Sequence, residues 1–487
     1  MHRAKRLTDL LESIDFAADA ALGEILVTGI CEDSRRVEPG NLFVAISGTA
    51  QDGAGFAAAA VSRGAIAVIA ERRLALRVPC IVVSDARRVL AELAAGFFDA
   101  PTRELHTVGV TGTNGKTTVC HWVAHLLGAG ETELISTVAN EDRGLPAITT
   151  PPSPVVQRIA REAVDGGKMN LVIEASSVGI EQRRLDGIAF GVAAFTNLSC
   201  DHLDLHGDVM TYLAAKAGLF QRLGPNGWGV VNVGDPHADA ILAATVGRTF
   251  SVGLDCEADL AASGVEESSG GTTFRLDLAG DVVSVTLPAS GLHNVENALV
   301  AAGVAVCSGR GLAEVAERLR TVPAIPGRWA VLQDARGTTA VVDFAHNPDA
   351  LCRVLEVLRG TYDRIVAVFG CPGGTDREKR FAMGEVSGRL ADLTILTSDN
   401  PKDEDPEAIV DEIACGVRRS GGRLESTVDR AEAVRRGVDE AGSSGVLLVA
   451  GKGHERYQIV RGEFIPYSDA SVLAARGFAP IEPPASA

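Results

Sequence analysis

Short apolar runs alternate with helical patterns along almost the whole chain of 487 residues. The segments TVGVTG, LVIEASS, GVAAFTNL, WGVVNV, TAVVDFAH, RIVAVFG, DLTILTSD and GVLLVAGKG are predominantly apolar and short. Strands of that kind, separated by helices, belong to parallel sheets covered on both faces. After the first of them, Val119, Trp122, Val123, Leu126 and Leu127 recur at helical spacing and predict one buried stripe. The opening MHRAKRLTDLLESIDF carries charges inside its apolar part, so it reads as an amphipathic helix rather than a signal peptide. Two breaks interrupt the alternation: FFDAPTREL, and TVPAIPGRWAVL with its two prolines and a glycine. They divide the chain into 1–102, 103–329 and 330–487, which makes it an α/β protein of three domains.

Composition narrows the class. A hydrophobic content of 46%, few aromatics and 53 glycines suit a soluble α/β protein rich in turns. No apolar run is long enough to span a membrane. The nine cysteines include no CxxC pair, so neither a zinc site nor a disulfide framework is suggested, and a cytoplasmic setting is expected. A formal net charge of −17 argues against nucleic acid and anionic membrane as partners. It leaves room for an anionic small substrate, which a few fixed amides and cations can capture locally.

The candidate chemistry starts in TGTNGKTT. An apolar strand ends at Gly112, and Thr113, Asn114 and Gly115 lead into Lys116, Thr117 and Thr118 at the start of the striped helix. Glycines let backbone amides turn onto phosphate oxygens, and the helix adds the positive end of its dipole. Lys116 would reach the outer phosphates and Thr117 would ligate Mg²⁺. The position five before Gly115 is Val110 rather than glycine, a departure from GxxxxGK[ST]. With no GxGxxG here, a mononucleotide triphosphate is expected rather than a dinucleotide. Glu174 ends a second apolar strand, where it would face the same crevice as a hard Mg²⁺ ligand. The next strand runs into TNLSCDHLDLHGD, dense in histidine and aspartate, where oxygen ligands and phosphate favour Mg²⁺ over zinc. Taken alone, Lys216 in YLAAKAGLF reads as a solvated surface lysine.

Taken together and in order, GTNGKTT, EASSVGIEQRRL, TNLSCDHLDLHGD, YLAAKAGLF, GLHNVENALVAAG, PGRW, VVDFAHNPDAL and AGKGHERYQI resemble the Mur ligase family. These are the ATP-dependent ligases that add amino acids to UDP-N-acetylmuramic acid. Within the family the chain is most similar to the branch that adds the third residue of the peptidoglycan stem peptide. The resemblance implies a central P-loop-type ATPase domain between a uridine-nucleotide domain and a Rossmann-like C-terminal domain. It implies ATP as co-substrate, Mg²⁺, a UDP-MurNAc-dipeptide and an amino acid as partners, and a monomer.

Residue by residue, the resemblance makes Glu174 and His202 Mg²⁺ ligands and Lys216 the lysine modified to N6-carboxylysine, beside the catalytic Lys116. Asn297 matches the adenine-side asparagine, and Arg328 and Asp343 the pair that closes on ATP, while His346 and Asn347 sit in the matching DFAHNP segment. Ser34, Thr49, Ala50 and Gln51 match contacts to the uridine, and Thr149, Thr150, Ser176, Gln182 and Arg184 match contacts to the diphosphate and muramoyl portion. Arg377, Asp399, Asn400, Pro401, Lys402, Gly451 and Glu455 match the amino-acid site, with Lys402 standing where diaminopimelate enzymes carry arginine. Lysine offers a point charge where arginine clasps a carboxylate with two hydrogen bonds. With Ile148 and Val178 also departing from the pattern, a relative ligating another amino acid or another carboxylate stays open.

Overall fold

In the computed structural model the described residues are 4–18, 22–48, 51–145, 148–199, 201, 203–268 and 271–481. Three sheets, each with its own helices, give the three-domain α/β architecture that the alternating pattern predicts. The first sheet runs in the order 17–18, 80–82, 67–70, 41–44, 29–31, its last four strands parallel. The central sheet has nine strands in the order 281–287, 271–278, 260–268, 248–254, 223–232, then β3 (Phe190–Phe195), β1 (His106–Thr111), β2 (Asn170–Glu174) and 132–135. The third has seven, in the order 424–426, 393–396, 365–369, β5 (Val446–Ala450), β4 (Thr339–Asp343), 330–333, 479–480. Among the described residues no helix is long and apolar enough to cross a membrane.

All eight apolar runs contain strands, because a strand buried on both faces has no side on which to carry polar residues. β1 takes the central seat, paired in parallel with β2 and β3, so the turn after Thr111 opens at the carboxyl edge of the sheet. There helix α1 (Lys116–Leu127) begins, and its predicted stripe is buried throughout, Val119, Val123 and Leu126 completely.

Two expectations need correction. The central sheet is not parallel throughout: 260–268, 271–278 and 281–287 form an antiparallel meander at its edge. There alternate residues such as Phe274, Leu276, Val285 and Leu287 are buried, the two-residue period of a half-solvated sheet. The N-terminal segment forms one helical turn, Leu7–Leu10, after a two-residue strand. Leu7, Leu10, Leu11 and Ile14 reach the core from that turn and the bend after it, and no longer stripe exists to hold a helix that is too short to persist alone.

Candidate active site

The glycine turn is shaped by what lies behind it. Gly115 has φ +83°, and a Cβ there would stand 2.1 Å from Asn297 Oδ1, so the turn admits no side chain. Asn297 comes from helix α4 (Leu292–Cys307), which thus backs the loop. The Thr113 N–H donates to the Asn197 carbonyl at 2.8 Å and the Asn114 N–H to Asn197 Oδ1 at 3.0 Å, tying the turn to the end of β3. The first amides of α1 have no partner within the helix and face outward. Lys116 folds back over them, its Nζ donating to the carbonyls of Gly112 at 3.0 Å and Thr113 at 2.7 Å.

Glu174, at the end of β2, is buried and accepts the Thr117 hydroxyl at 3.0 and 3.1 Å. Helix α2 (Thr137–Asp142) approaches the same carboxylate. Its Thr137 donates to Glu174 Oε2 through the backbone at 2.9 Å and the hydroxyl at 3.1 Å. Lys216, on helix α3 (Val209–Phe220), is not on the surface: it is 1% exposed, donates to the Gly112 carbonyl at 2.6 Å and lies 4.0 Å over the Tyr212 ring. The small, apolar neighbours that made it look helical also let its stem cross the core. His202 lies outside the described residues.

The third domain closes the site. Arg328 donates to the Thr117 hydroxyl at 3.0 Å and stacks 4.2 Å from the Phe344 ring, while its buried Nε has no hydrogen-bond partner among the described residues. Asp343, at the end of β4, is held by the backbone of Trp329 at 2.7 Å and of Ala345 at 2.8 Å. Asn347 caps helix α5 (Pro348–Arg359) and also donates to Asn114 Oδ1 at 3.0 Å and Asp201 Oδ2 at 3.1 Å. Asp201 lies 3.5 Å from His346 and 3.8 Å from Lys379, a cross-domain cluster that the sequence did not single out beyond its density of acids and histidines.

One cavity of 330 Å³ joins these groups, lined by Thr113 to Thr118, Thr137, Thr149, Glu174, Ser176, Asn297, Arg328 and Asp343. Pro288, Ala289, Pro323, Ala324 and Ile325 add an apolar part to its lining. Burial lowers the pKa of Lys116 and Arg328, with the Glu174 charge opposing both. It lowers Lys216 far more, and the neighbouring Lys116 charge adds to the effect. Burial raises Asp343. Lys116 and Arg328 stand at the glycine turn beside Glu174, with Asp343 and Arg353 also in the lining, so the cavity offers fixed cations to an anion and carboxylates to a cation.

A second cavity of 180 Å³ lies between the first and central domains, lined by Glu32, Ile46, Arg87, Leu90, Pro152, Ser153, Gln182 and Arg184. Arg184 is braced by the Thr150 carbonyl and Gln182 Oε1, both at 2.7 Å. Thr150 donates to the Glu174 carbonyl at 2.7 Å and contacts Ser176 at 2.9 Å, and Thr149 meets Thr137 at 3.1 Å, so this cleft and the phosphate site share a wall. Ser34 is half-buried and Gln51 exposed, and neither lines this cavity. Thr49 and Ala50 lie outside the described residues.

Burial pushes the Glu32 carboxyl up from 4.5 to about 7, against the charge of Arg184. The folded state therefore holds a proton that the unfolded chain has released, and stability attributable to this group falls as pH rises between these values. Glu32→Gln should melt increasingly above the parent as pH is raised from about 5 to about 7.5. A melting difference that stays constant over that range rejects the assignment.

In the third domain, Asn400 and Glu455 converge. Asn400 Nδ2 donates to Glu455 Oε2 at 2.8 Å, and Lys452 Nζ donates to the same oxygen at 2.7 Å and to Asn400 Oδ1 at 3.0 Å. Asp399 is 3.4 Å from Lys452, and a Cβ on Gly451 would stand 2.5 Å from Asp399 Oδ2. Pro401 leads into Lys402, which makes no ion pair among the described residues and whose side chain runs past Gly374. Arg377 does not join this group: its side chain is 67% exposed and pairs with Glu412. The buried arginine nearby is Arg380, fixed between Glu404 and Glu412 at 2.9 Å each, which locks the 400–404 loop to the 378–390 helix.

Comparison with known proteins adds independent findings. Residues 26–98 match the model of the Mur ligase family, catalytic domain, residues 110–305 the Mur ligase middle domain, and residues 327–453 the Mur ligase glutamate ligase domain. UDP-N-acetylmuramoyl-L-alanyl-D-glutamate–2,6-diaminopimelate ligase of Geobacillus thermodenitrificans is 39% identical over 91% of this chain and 93% of its own. A solved structure of a ligase of that description superposes with TM-score 0.67 at 32% identity, over 97% of this chain and 98% of that one. MurF ligase from Thermotoga maritima, solved with ADP, shares the fold at TM-score 0.64 and 20% identity over 88% of this chain and 94% of that one.

Proposed function

The chain belongs to the Mur ligase family, and on that premise we propose that it is an ATP-dependent ligase joining the terminal carboxylate of UDP-MurNAc-L-Ala-D-Glu to meso-diaminopimelate in peptidoglycan precursor synthesis. Residues 1–102 take the uridine nucleotide, 103–329 take ATP and 330–487 take the amino acid. The observation that carries the reading is the single cavity in which Lys116, Thr117 and Glu174 of the central domain meet Arg328 of the hinge and Asp343 of the third domain. The names of relatives at 39% identity support the choice of amino acid.

The glycine turn, with Asn297 behind it, suits a triphosphate, and the apolar part of the lining suits the adenine. A carboxylate oxygen of the acceptor attacks the γ-phosphorus, the bond to the ADP oxygen breaks, and an acyl phosphate forms. The amine nitrogen then attacks the acyl carbon, phosphate leaves and the nitrogen releases a proton. Lys116 and Arg328 place fixed positive charge where the transferring phosphoryl group gathers negative charge, and the domain contacts hold three reactants in line. The Thr117 hydroxyl and Glu174 carboxylate are adjacent hard oxygen donors, which fits Mg²⁺. They would hold it together with His202 and carboxylated Lys216, and once bound it neutralises phosphate charge. ATP and a UDP-linked precursor place the reaction in the cytoplasm, and no step needs a second copy, so a monomer suffices.

The amino-acid site is read as Asp399, Asn400, Lys402, Gly451 and Glu455, with Glu455 and Asn400 receiving an amino group and the unpaired Lys402 a distal carboxylate. The test is ADP release with UDP-MurNAc-L-Ala-D-Glu, ATP and a panel of amino acids. Release should depend on diaminopimelate and be absent with L-lysine. Lys402→Ala should raise KM for diaminopimelate about tenfold, the loss of one charge-assisted hydrogen bond. Release with L-lysine alone, or with no amino acid of the panel, overturns the assignment.

A further inference from the structure

Helix α2 touches both reactive regions with its two ends. Its first residue, Thr137, holds Glu174 as described above. Near its last turn Glu141 leaves the central domain and meets the loop after β5: Oε1 accepts the Arg456 N–H at 3.0 Å, and Oε2 lies 3.6 Å from His454 Nε2. Glu141 and His454 are 12% and 4% exposed there, while the adjoining Asp142–Arg456 pair is open to water and contributes little. Burial, with the Arg328 charge adding to it, pushes His454 down to about 3, so the ring is neutral and the backbone bond to Arg456 carries the contact.

The clasped loop is the one that bears Lys452 and Glu455. The hinge packs against the same loop: Gly327 has φ +65°, and a Cβ there would stand 2.0 Å from the His454 nitrogen. Hinge and Glu141 therefore both hold the loop, at His454 and Arg456. Helix α2 is about 9 Å long, short enough to act as a rigid strut between the phosphate carboxylate and the amino-acid site.

We propose that Glu141 is a positioning residue for the incoming amino acid, fixing the 452–456 loop from the central domain so that Glu455 stands ready for the substrate amino group when the domains are together. This rests on the reading of Glu455 given under the proposed function. The contact makes capture of the amino acid depend on the arrangement around Glu174, since one short helix serves both.

The experiment compares the full-length chain with Glu141→Ala and Glu141→Gln. In ADP release with UDP-MurNAc-L-Ala-D-Glu, Glu141→Ala should raise KM for diaminopimelate about tenfold, and Glu141→Gln, which keeps an acceptor for the Arg456 N–H, by less. KM for ATP should stay within about twofold, which a general structural defect would not allow. Unchanged KM for diaminopimelate, or a rise in both constants together, overturns the proposal. Hydrogen exchange on the same proteins without substrate should be faster in the alanine variant for the peptide containing residues 452–458 and unchanged for residues 112–118. Equal exchange at 452–458 overturns it as well. Faster exchange together with a parent protein inactive on these substrates supports the clasp and defeats the diaminopimelate reading instead.

Discussion

Lys116→Ala should abolish ligation, lowering kcat for ADP release by on the order of 10³-fold or more, as expected when a fixed charge is removed from a water-poor site of phosphoryl transfer. The side chain is folded onto the Gly112 and Thr113 carbonyls, so its ammonium is held at the glycine turn. It works in a pocket where burial weakens its hold on the proton, and the Glu174 charge is what counters that. Lys116→Arg should not restore activity, because a planar guanidinium cannot occupy the point where three donors of a compact ammonium converge. Nucleotide affinity should fall much less than kcat, which a fluorescent ATP analogue would measure. A variant that releases ADP at more than about a tenth of the parent rate contradicts this role.

That site was largely legible because it is local in sequence. Gly112, Gly115, Lys116 and Thr117 lie on one turn, and the strand before and helix after it are declared by hydrophobic period. Glu174 was legible as a strand end, since strand ends in a parallel sheet gather at one edge. The strands themselves could be read wherever both faces are buried. The meander at 260–287 escaped because its residues alternate, and an alternating segment looks polar when read as a run.

What the sequence could not give is contact between domains. Arg328 alone reads as a linker charge, and only the fold brings it onto Thr117. Asp201 sat in a visible cluster, yet its partners His346, Asn347 and Lys379 lie far along the chain. Thr137 and Glu141 belong to no motif at all, and Arg377 shows the reverse situation. It has the right type at the right spacing, but it starts the 378–390 helix on the solvent side, where Glu412 takes it, while Arg380 turns inward. The choice between two arginines on one helix is a matter of rotation, and residue identity does not encode it.

Lys216 is the sharpest case of a residue whose chemistry depends on burial, and Lys216→Ala should lose activity by about 10²-fold or more, with partial recovery on adding short carboxylates. In solution its amine would be protonated and inert. Here it is enclosed, with Tyr212 beneath it, the Gly112 carbonyl at 2.6 Å and Lys116 nearby. Burial first, and the Lys116 charge second, push its pKa well down, which favours the neutral amine over the ammonium. A neutral amine adds to carbon dioxide: its nitrogen bonds the carbon, one proton is released, and the neutral group becomes a carbamate anion. Such an addition would give the site an added anion beside Lys116, which suits divalent cation binding better than the lysine itself. Mass spectrometry would miss the group if acid removes it, so the discriminating measurement is activity after exhaustive exchange into carbon dioxide-free buffer. The parent should lose activity and regain it with bicarbonate, while Lys216→Ala should respond to acetate and be indifferent to bicarbonate. A Lys216→Ala protein with full activity, or a parent unaffected by removal of carbon dioxide, would leave this lysine as a buried donor to Gly112 and nothing more.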